Sequence, residues 1–173
     1  LMAWSSMVWL FRRPFRWRQI LMALEFIGVG SLFIVLLTGA FTGMVMAVQT
    51  AYAFKLFNAE SLVGTTVALA LTRELAPVLT GLMVTGRVGS SIATEIGTME
   101  VTEQIDALRT MAVNPIQYLV TPRVFAAVIM MPILCLMCSV VGIGGAWLVA
   151  VVGLGLDEGI FFDRIVTVVL PWE

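Results

Sequence analysis

Charged side chains are rare in this chain, and two of them stand where a membrane-embedded site could use them. Arg73 and Glu74 are adjacent within a long apolar stretch, residues 62–84. A charge in the middle of a membrane span costs on the order of 3 kcal/mol by insertion scales, so it marks a function or a cavity. Arginine suits phosphate because its planar guanidinium donates two parallel hydrogen bonds. Arg73 could therefore meet a lipid phosphate at the bottom of a pocket, and a salt bridge to a neighbouring helix, within one chain or across a dimer, would explain the same charges.

A second group of charges forms the one sizeable polar segment, residues 87–115. Its apolar residues recur at helical spacing, which predicts an amphipathic helix with an acidic face. Asn114-Pro115 should end that helix, because the residue before a proline avoids helical geometry. A charged helix between membrane spans is typical of a docking surface for a partner in water, and a solvated connector would carry the same charges. The charged residues are Arg87, Glu95, Glu100, Glu103, Asp106 and Arg109.

Few other residues could carry chemistry. The chain has no histidine, the commonest general base and metal ligand, so an enzyme is disfavoured and no metal site is predicted. Cys135 and Cys138 have the spacing of a redox pair or half a metal site, but without a second pair we interpret them as small buried residues of a membrane helix. Residues 81–88 read GLMVTGRV and lack the Lys-Ser/Thr of a phosphate loop. No ATP site and no cofactor is therefore predicted in this chain.

The composition places the chain among all-α integral membrane proteins. It is 60% hydrophobic and 12% charged, whereas soluble domains carry about a quarter charged residues. Its net charge is −1 and it has no basic run, so no nucleic-acid partner is predicted. Apolar runs long enough to cross a bilayer predict three spans, at residues 26–54, 62–84 and 122–156.

The two ends of the chain differ in their flanking charges. Residues 1–25 interleave tryptophan and phenylalanine with arginine, which predicts an interfacial helix, although the flank of a span would look similar. Residues 157–172 alternate acidic and apolar residues and predict a short helix on the periplasmic side. Arginines at 12–18, 87, 109 and 123 would share one side of the membrane, with Lys55 and Arg164 on the other. By the positive-inside rule, the N-terminus and the polar helix are expected in the cytoplasm.

The end of the first predicted span, residues 44–57, mixes methionine and phenylalanine with polar residues. Such side chains form an adaptable apolar wall that suits an acyl chain, but ordinary helix packing explains them as well and is favoured by the sequence alone. Gly39 and Gly43 form a GxxxG pair, which predicts the close approach of another helix.

From residue 20 to the end, the sequence resembles the permease subunits of the MlaE/YrbE family, the membrane part of ABC transporters that move phospholipids for MCE-type systems. Family members have five membrane helices, so the resemblance implies that residues 1–173 form a single, truncated permease domain that holds three of them. The matching features are TGAFTGMVMAVQ, Arg73-Glu74 with Pro77, Gly86-Arg87 with Gly89, Ala93-x-Glu95-Ile96-Gly97, Thr102-Glu103-Gln104, Asp106-Ala107-Leu108, Met111-Ala112-Val113 with Pro115, and Pro122-Arg123.

The resemblance also implies partners and site residues. The permease would be a homodimer flanked by cytoplasmic ABC ATPases, which bind the ATP and Mg, with an MCE-domain periplasmic protein and in some members a STAS-domain accessory protein. The polar helix would be the coupling helix that contacts the ATPase through Glu95, Glu103, Gln104, Asp106 and Arg109. The phospholipid pocket would be walled by Met46, Gln49, Ala53, Phe54 and Phe57, with Arg73 and Glu74 in or near it.

The function expected from this resemblance is that of a non-enzymatic permease subunit in the bacterial inner membrane. It would move phospholipids between that membrane and an MCE protein, in maintenance of outer-membrane lipid asymmetry. A proton-coupled secondary transporter is the alternative, with Glu74 as its candidate intramembrane carboxylate. A non-transporting membrane scaffold is a further alternative.

Overall fold

A computed structural model of the chain describes residues 17–111 and 119–169. Within these ranges the chain is helical and contains no strand. A 3₁₀ turn at Glu60–Leu62 precedes the second helix, a π-helical segment at Leu71–Leu75 joins the second helix to the third, and another at Leu148–Gly153 follows the fifth. The helices are α1 (Trp17–Lys55), α2 (Val63–Ala70), α3 (Ala76–Val101), α4 (Gln104–Thr110), α5 (Thr121–Trp147) and α6 (Glu158–Val169).

Three helical stretches are long and apolar enough to cross a membrane: Ile20–Lys55, Glu60–Val101 and Thr121–Gly153. Within them, windows of 18 residues reach mean hydropathies of 2.5, 1.5 and 2.7, respectively. The prediction of an all-α membrane protein with three spans in this sequence is thereby confirmed. The second stretch has 42 residues, and at about 1.5 Å per residue it is about twice the length that a ~30 Å bilayer core requires. Part of it must therefore tilt or extend beyond the hydrocarbon.

The π-helical segment Leu71–Leu75 contains the two charged residues of the second predicted span. The backbone N–H of Ala76 donates to the carbonyl of Leu71, five residues back. Pro77 supplies the physical reason, because its ring crowds the carbonyl of Arg73 and it has no N–H to donate. A wider turn before the proline keeps the remaining backbone groups bonded, as a membrane interior requires.

The polar segment differs from the single helix predicted over residues 87–115. No proline stands between Pro77 and Pro115, and α3 continues unbroken to Val101. The chain then turns at Glu103, whose φ of 58° is left-handed, before the short α4 begins. The β-branched pair Val101-Thr102 loses side-chain freedom in a helix, which favours an end at this point. The stop expected at Asn114-Pro115 lies outside the described residues.

The described chain divides into two compact units. The first unit comprises the described residues up to Ser31 together with Leu82–Pro132. The second unit comprises Leu32–Gly81 and the described residues from Ile133 onward.

In the second unit, α1 and α5 pack with their backbones in direct contact. A Cβ on Gly39 would lie 2.9 Å from both the carbonyl oxygen and the sulfur of Cys138, and a Cβ on Gly43 would overlap the carbonyl of Gly142. Gly145 likewise faces the carbonyl of Ala40, 2.6 Å from where its Cβ would stand. The helix that the GxxxG pair was predicted to admit is α5 of the same chain. Both cysteines are free thiols, and Cys138 is buried in this contact.

The core of the second unit is built around α2. Leu71 and Val67 are buried there, and Phe161 of α6 packs against Gly64. Asp157 caps α6, since its Oδ1 accepts a hydrogen bond of 2.8 Å from the N–H of Gly159. α6 (Glu158–Val169) lies within the range 157–172 in which a short helix was predicted, and residues 170–172 of that range lie outside the described residues. The other buried members of this core are Ala47, Ala51, Val63, Ala146 and Ala150.

The interfacial helix predicted over residues 1–25 falls mainly outside the described residues. Its last part, from Trp17 onward, is the beginning of α1 and continues without a break into the first predicted span.

Candidate functional site

The residues predicted to wall a lipid pocket lie in the second unit, on the last turns of α1 and the turn that follows. Met46 and Phe54 are half-buried and pack against the core built around Leu71. Gln49 and Ala53 are exposed, and Phe57 is 77% exposed. The predicted wall is thus divided between residues that pack against the core and residues on the open surface.

Arg73 and Glu74 are both exposed on the π-helical segment. Among the described residues neither forms a salt bridge. Leu71 and Leu75 in the same segment face the core of the second unit. An exposed charge within a membrane-crossing stretch has to be covered by protein or face a water-filled cavity.

The residues predicted to contact an ATPase lie in the first unit, at the end of α3 and in α4. Glu103 occupies the turn, and Gln104 and Asp106 are exposed at the start of α4. Val101, at the end of α3, is 85% exposed. Arg109 is also in α4, but its side chain lies outside the described part of the structure. An apolar residue next to acidic ones at a sharp turn is a suitable shape for a protein contact.

Glu95 differs from the other predicted contact residues because it has a partner within the chain. Its Oε1 accepts a hydrogen bond from Nη2 of Arg123, near the start of α5. The Glu95 side chain remains 51% exposed, whereas that of Arg123 is 20% exposed. Arg123 was not identified as this partner from the sequence. A signal was present, because the helix dipole disfavours a cation in the first turn of a helix and an arginine there suggests a separate role.

Arg87 is a second arginine whose role the sequence did not reveal. Its Nη1 donates a hydrogen bond of 3.0 Å to Oγ of the buried Ser31. Its guanidinium lies 5.7 Å from the ring centroid of Phe26 and occupies the space that a Cβ on Gly30 would need, 2.5 Å from Nη2. Arg87 therefore holds α3 to α1 in the first unit. No spacing rule pairs residues 56 positions apart, so only the structure could show this contact.

Comparison with known protein families identifies the family of this chain. The profile of the family described as Permease MlaE matches residues 20–173. The chain belongs to this permease family. The match covers every helix described above, apart from the first three residues of α1.

Curated relatives agree with the assignment. A probable ABC transporter permease protein of Rickettsia felis is 50% identical over 158 residues, which are 91% of this chain and 61% of that protein. The intermembrane phospholipid transport system permease protein MlaE of Haemophilus influenzae is 45% identical over 79% of this chain and 52% of its own length. The chloroplastic protein TRIGALACTOSYLDIACYLGLYCEROL 1 of Arabidopsis thaliana is 41% identical over 91% of this chain and 45% of its own length. The chain thus spans about half to three fifths of the length of these relatives.

Proposed function

We propose that this chain is the transmembrane permease subunit of an ABC transporter that moves phospholipids between the bacterial inner membrane and an MCE protein, in maintenance of outer-membrane lipid asymmetry. The observation that carries the proposal is the match of residues 20–173 to the Permease MlaE family. The name of the Haemophilus influenzae relative, an intermembrane phospholipid transport system permease protein, supports the choice of cargo.

The exposed charges of the π-helical segment support a shared pocket in a homodimer. Arg73 and Glu74 need a partner or a cavity in the membrane, and a second copy of the chain would enclose both. The guanidinium of Arg73 would bind the lipid phosphate, and the exposed ring of Phe57 would contact an acyl chain. Half-buried Met46 and Phe54 would connect the pocket wall to the core, so that the wall moves when α1 and α2 move.

The exposed turn between α3 and α4 supports a cytoplasmic ABC ATPase as the motor. Glu103, Gln104 and Asp106 would contact the ATPase, with the exposed Val101 as an apolar anchor. Because α3 is continuous from Ala76 to Val101, a push at this turn would pass along the helix to the π-helical segment. Closure of two ATPases would then narrow the pocket and expel the lipid, whose acyl chains each hold on by about 0.8 kcal/mol per buried CH₂ group.

Lipid copurification tests the pocket. Phe57→Asp should abolish phospholipid that copurifies with the full-length permease and its ATPase, because a carboxylate replaces an acyl-chain contact. Leu56→Asp is the matched control, since Leu56 is 76% exposed on the neighbouring position. Phe57 is a better target than Phe54, because Phe54 packs against the core. Lipid lost after substitution of Phe54 could result either from weaker binding or from unfolding. Bound lipid that is unchanged in Phe57→Asp would contradict the proposed pocket.

Copurification of the permease with its ABC ATPase tests the proposed contact between the two proteins. Glu103→Lys combined with Asp106→Lys should detach the ATPase during purification, because both acidic contacts would reverse sign. Glu60→Lys combined with Glu158→Lys reverses two exposed acidic residues of the second unit and should leave the complex intact. Survival of the complex in the first double variant would refute the contact. Lipid flux that follows a proton gradient without ATP would instead favour a secondary transporter based on Glu74.

A further inference from the structure

The first unit contains a cavity that the proposed transport pocket does not use. It has a volume of about 420 Å³ and lies between the beginnings of α1 and α5 and the part of α3 near Glu95. Most of its wall is apolar, with Met22, Phe26, Ile92 and Met99 as its large side chains. A cavity of this size accommodates a small ligand or the polar end of a larger one.

Two opposite charges lie side by side in this wall. Of the described residues that line the cavity, only Glu95 and Arg123 are charged. Their salt bridge uses Nη2 of Arg123 and Oε1 of Glu95. Nη1 of Arg123 is buried and has no hydrogen-bond partner in the described part of the chain. A buried guanidinium N–H without an acceptor is unfavourable, so a site of this kind favours a ligand that brings an acceptor.

We propose that this cavity binds the headgroup of a zwitterionic phospholipid with a primary ammonium group, with its phosphate on Nη1 of Arg123 and its ammonium on the carboxylate of Glu95. Phosphate matches the guanidinium fork, which already orients one N–H toward Glu95. The carboxylate of Glu95 is half exposed and can accept further hydrogen bonds. The first carbons of the acyl chains would lie against Met22, Phe26 and Met99, since methionine adapts to irregular apolar shapes.

The charge pair selects among lipid headgroups. A purely anionic headgroup would leave the occupied site with a net negative charge, because the charge of Arg123 is already balanced by Glu95. A quaternary ammonium has no N–H to donate to Glu95, whereas a primary ammonium has three. The chemistry therefore favours an ethanolamine headgroup over glycerol or choline. This site goes beyond the proposed transport function, because it shares no residue with the pocket wall on α1 and α2.

Photolabelling of the full-length permease with its ATPase in nanodiscs tests the proposal. The probes are phosphatidylethanolamine, phosphatidylcholine and phosphatidylglycerol, each with a diazirine near the carbonyl end of one acyl chain. We expect the ethanolamine lipid to label peptides that contain Met22, Phe26 or Met99 about tenfold more than the other two, since only it satisfies both charges. Equal labelling by the three lipids, or an absence of lipid label on these peptides because another protein chain covers them, would overturn the proposal.

Variants separate binding from general proximity to the membrane. Arg123→Gln and Glu95→Gln should each reduce labelling by the ethanolamine lipid to the level of the glycerol lipid. Met99→Trp should reduce it as well, because the larger ring fills the cavity and leaves both charges in place. Glu25→Gln, an exposed charge on α1 that does not line the cavity, is the control and should change nothing. Labelling that persists in Arg123→Gln would contradict the site, and the headgroup comparison on the unaltered protein decides the question if that variant does not fold.

The transport pocket near Phe57 and the headgroup site near Glu95 can be tested independently of each other. Loss of label near Phe57 with label retained at Met22 and Met99 would contradict the transport pocket and leave this site in place. The reverse result would contradict this site alone.

Discussion

Along α1, the glycines of the two units bring helices together in opposite ways. In the second unit, Gly43 of α1 meets Gly142 of α5, and the contact is between two backbones. In the first unit, the space above Gly30 is occupied by the guanidinium of Arg87, and the space above Gly28 by the end of the Met130 side chain. A missing Cβ makes room for a neighbouring helix in one unit and for a long side chain in the other.

This difference has a mechanical consequence. Two backbones in contact have few alternative arrangements, because neither can move without its whole helix. A long side chain has several rotamers and can give way. We therefore expect the α1–α5 contact of the second unit to be stiff and the side-chain contacts of the first unit to be adjustable.

The largest expected effect is at the backbone contact. Gly43→Ala should lower the free energy of unfolding by about 3 kcal/mol, because its Cβ would overlap the carbonyl of Gly142. Gly144→Ala, in the same pair of helices but with open space where the Cβ would stand, should instead stabilise α5 by about 0.5–1 kcal/mol through a better helix propensity. Thermal unfolding in detergent, followed by tryptophan fluorescence, measures both. Similar effects at the two glycines would break the comparison.

The side-chain contact should be rescuable, unlike the backbone contact. Gly30→Ala should cost about 1.5 kcal/mol in the unaltered protein, because the guanidinium of Arg87 must move away from Ser31. In an Arg87→Ala background the same change should cost almost nothing. A double-mutant cycle on unfolding measures the coupling. Independent effects of the two substitutions would mean that Arg87 does not occupy this space.

The two units also differ in the residue that takes a left-handed conformation at a helix end, and the expected effect on unfolding is smaller. In the second unit, the π-helical segment Leu148–Gly153 is followed by Gly155 at a φ of +71°, where glycine has no Cβ to strain. The first unit turns at Glu103 with a φ of 58° and accepts the strain of a side chain. Glu103→Gly should therefore stabilise the first unit by about 1 kcal/mol. Ala107→Gly, inside α4, should destabilise it by about as much.

If Glu103→Gly stabilises the first unit but weakens binding of the ATPase, the side chain is retained for the contact at the expense of local strain. A loss of stability in this variant would contradict the left-handed conformation of residue 103.

The smallest expected effect is at the salt bridge between Glu95 and Arg123. Half of the Glu95 side chain is exposed, and exposed salt bridges contribute about 0.5 kcal/mol because water screens them. A cycle of Glu95→Gln and Arg123→Gln should give a coupling of that size in unfolding. A much larger coupling would show that the pair is dry in the assembled protein and is part of the first unit's core.

The site residues differ in how much of their environment could be predicted from the sequence. The charges at 73 and 74 could be recognised as exceptional because the apolar stretch around them is long. The packing of Phe54 against the core and the exposure of Phe57 could not, since both residues are aromatic and only three positions apart. Burial at the end of a helix depends on the neighbouring residues, and the core against which Phe54 packs includes Ala146 of α5 and Phe161 of α6, far along the chain.

The polar segment shows the same division at the level of helices. Its amphipathic spacing and acidic residues were readable from residues 87–115. The turn at Glu103 was not, because no glycine or proline marks it and a left-handed glutamate has no sequence signature.

By itself the sequence determined the all-α class, the three stretches able to cross a membrane, the family and the places where charge is concentrated. Each of these depends on local composition, periodicity or a motif. Such local features predict a membrane helix well, because a helix in lipid satisfies its backbone hydrogen bonds internally. Only the tertiary structure decided that GxxxG meets α5, that Arg87 binds Ser31 and that Glu95 pairs with Arg123. Those contacts join residues that are tens of positions apart, and their formation depends on how whole helices pack.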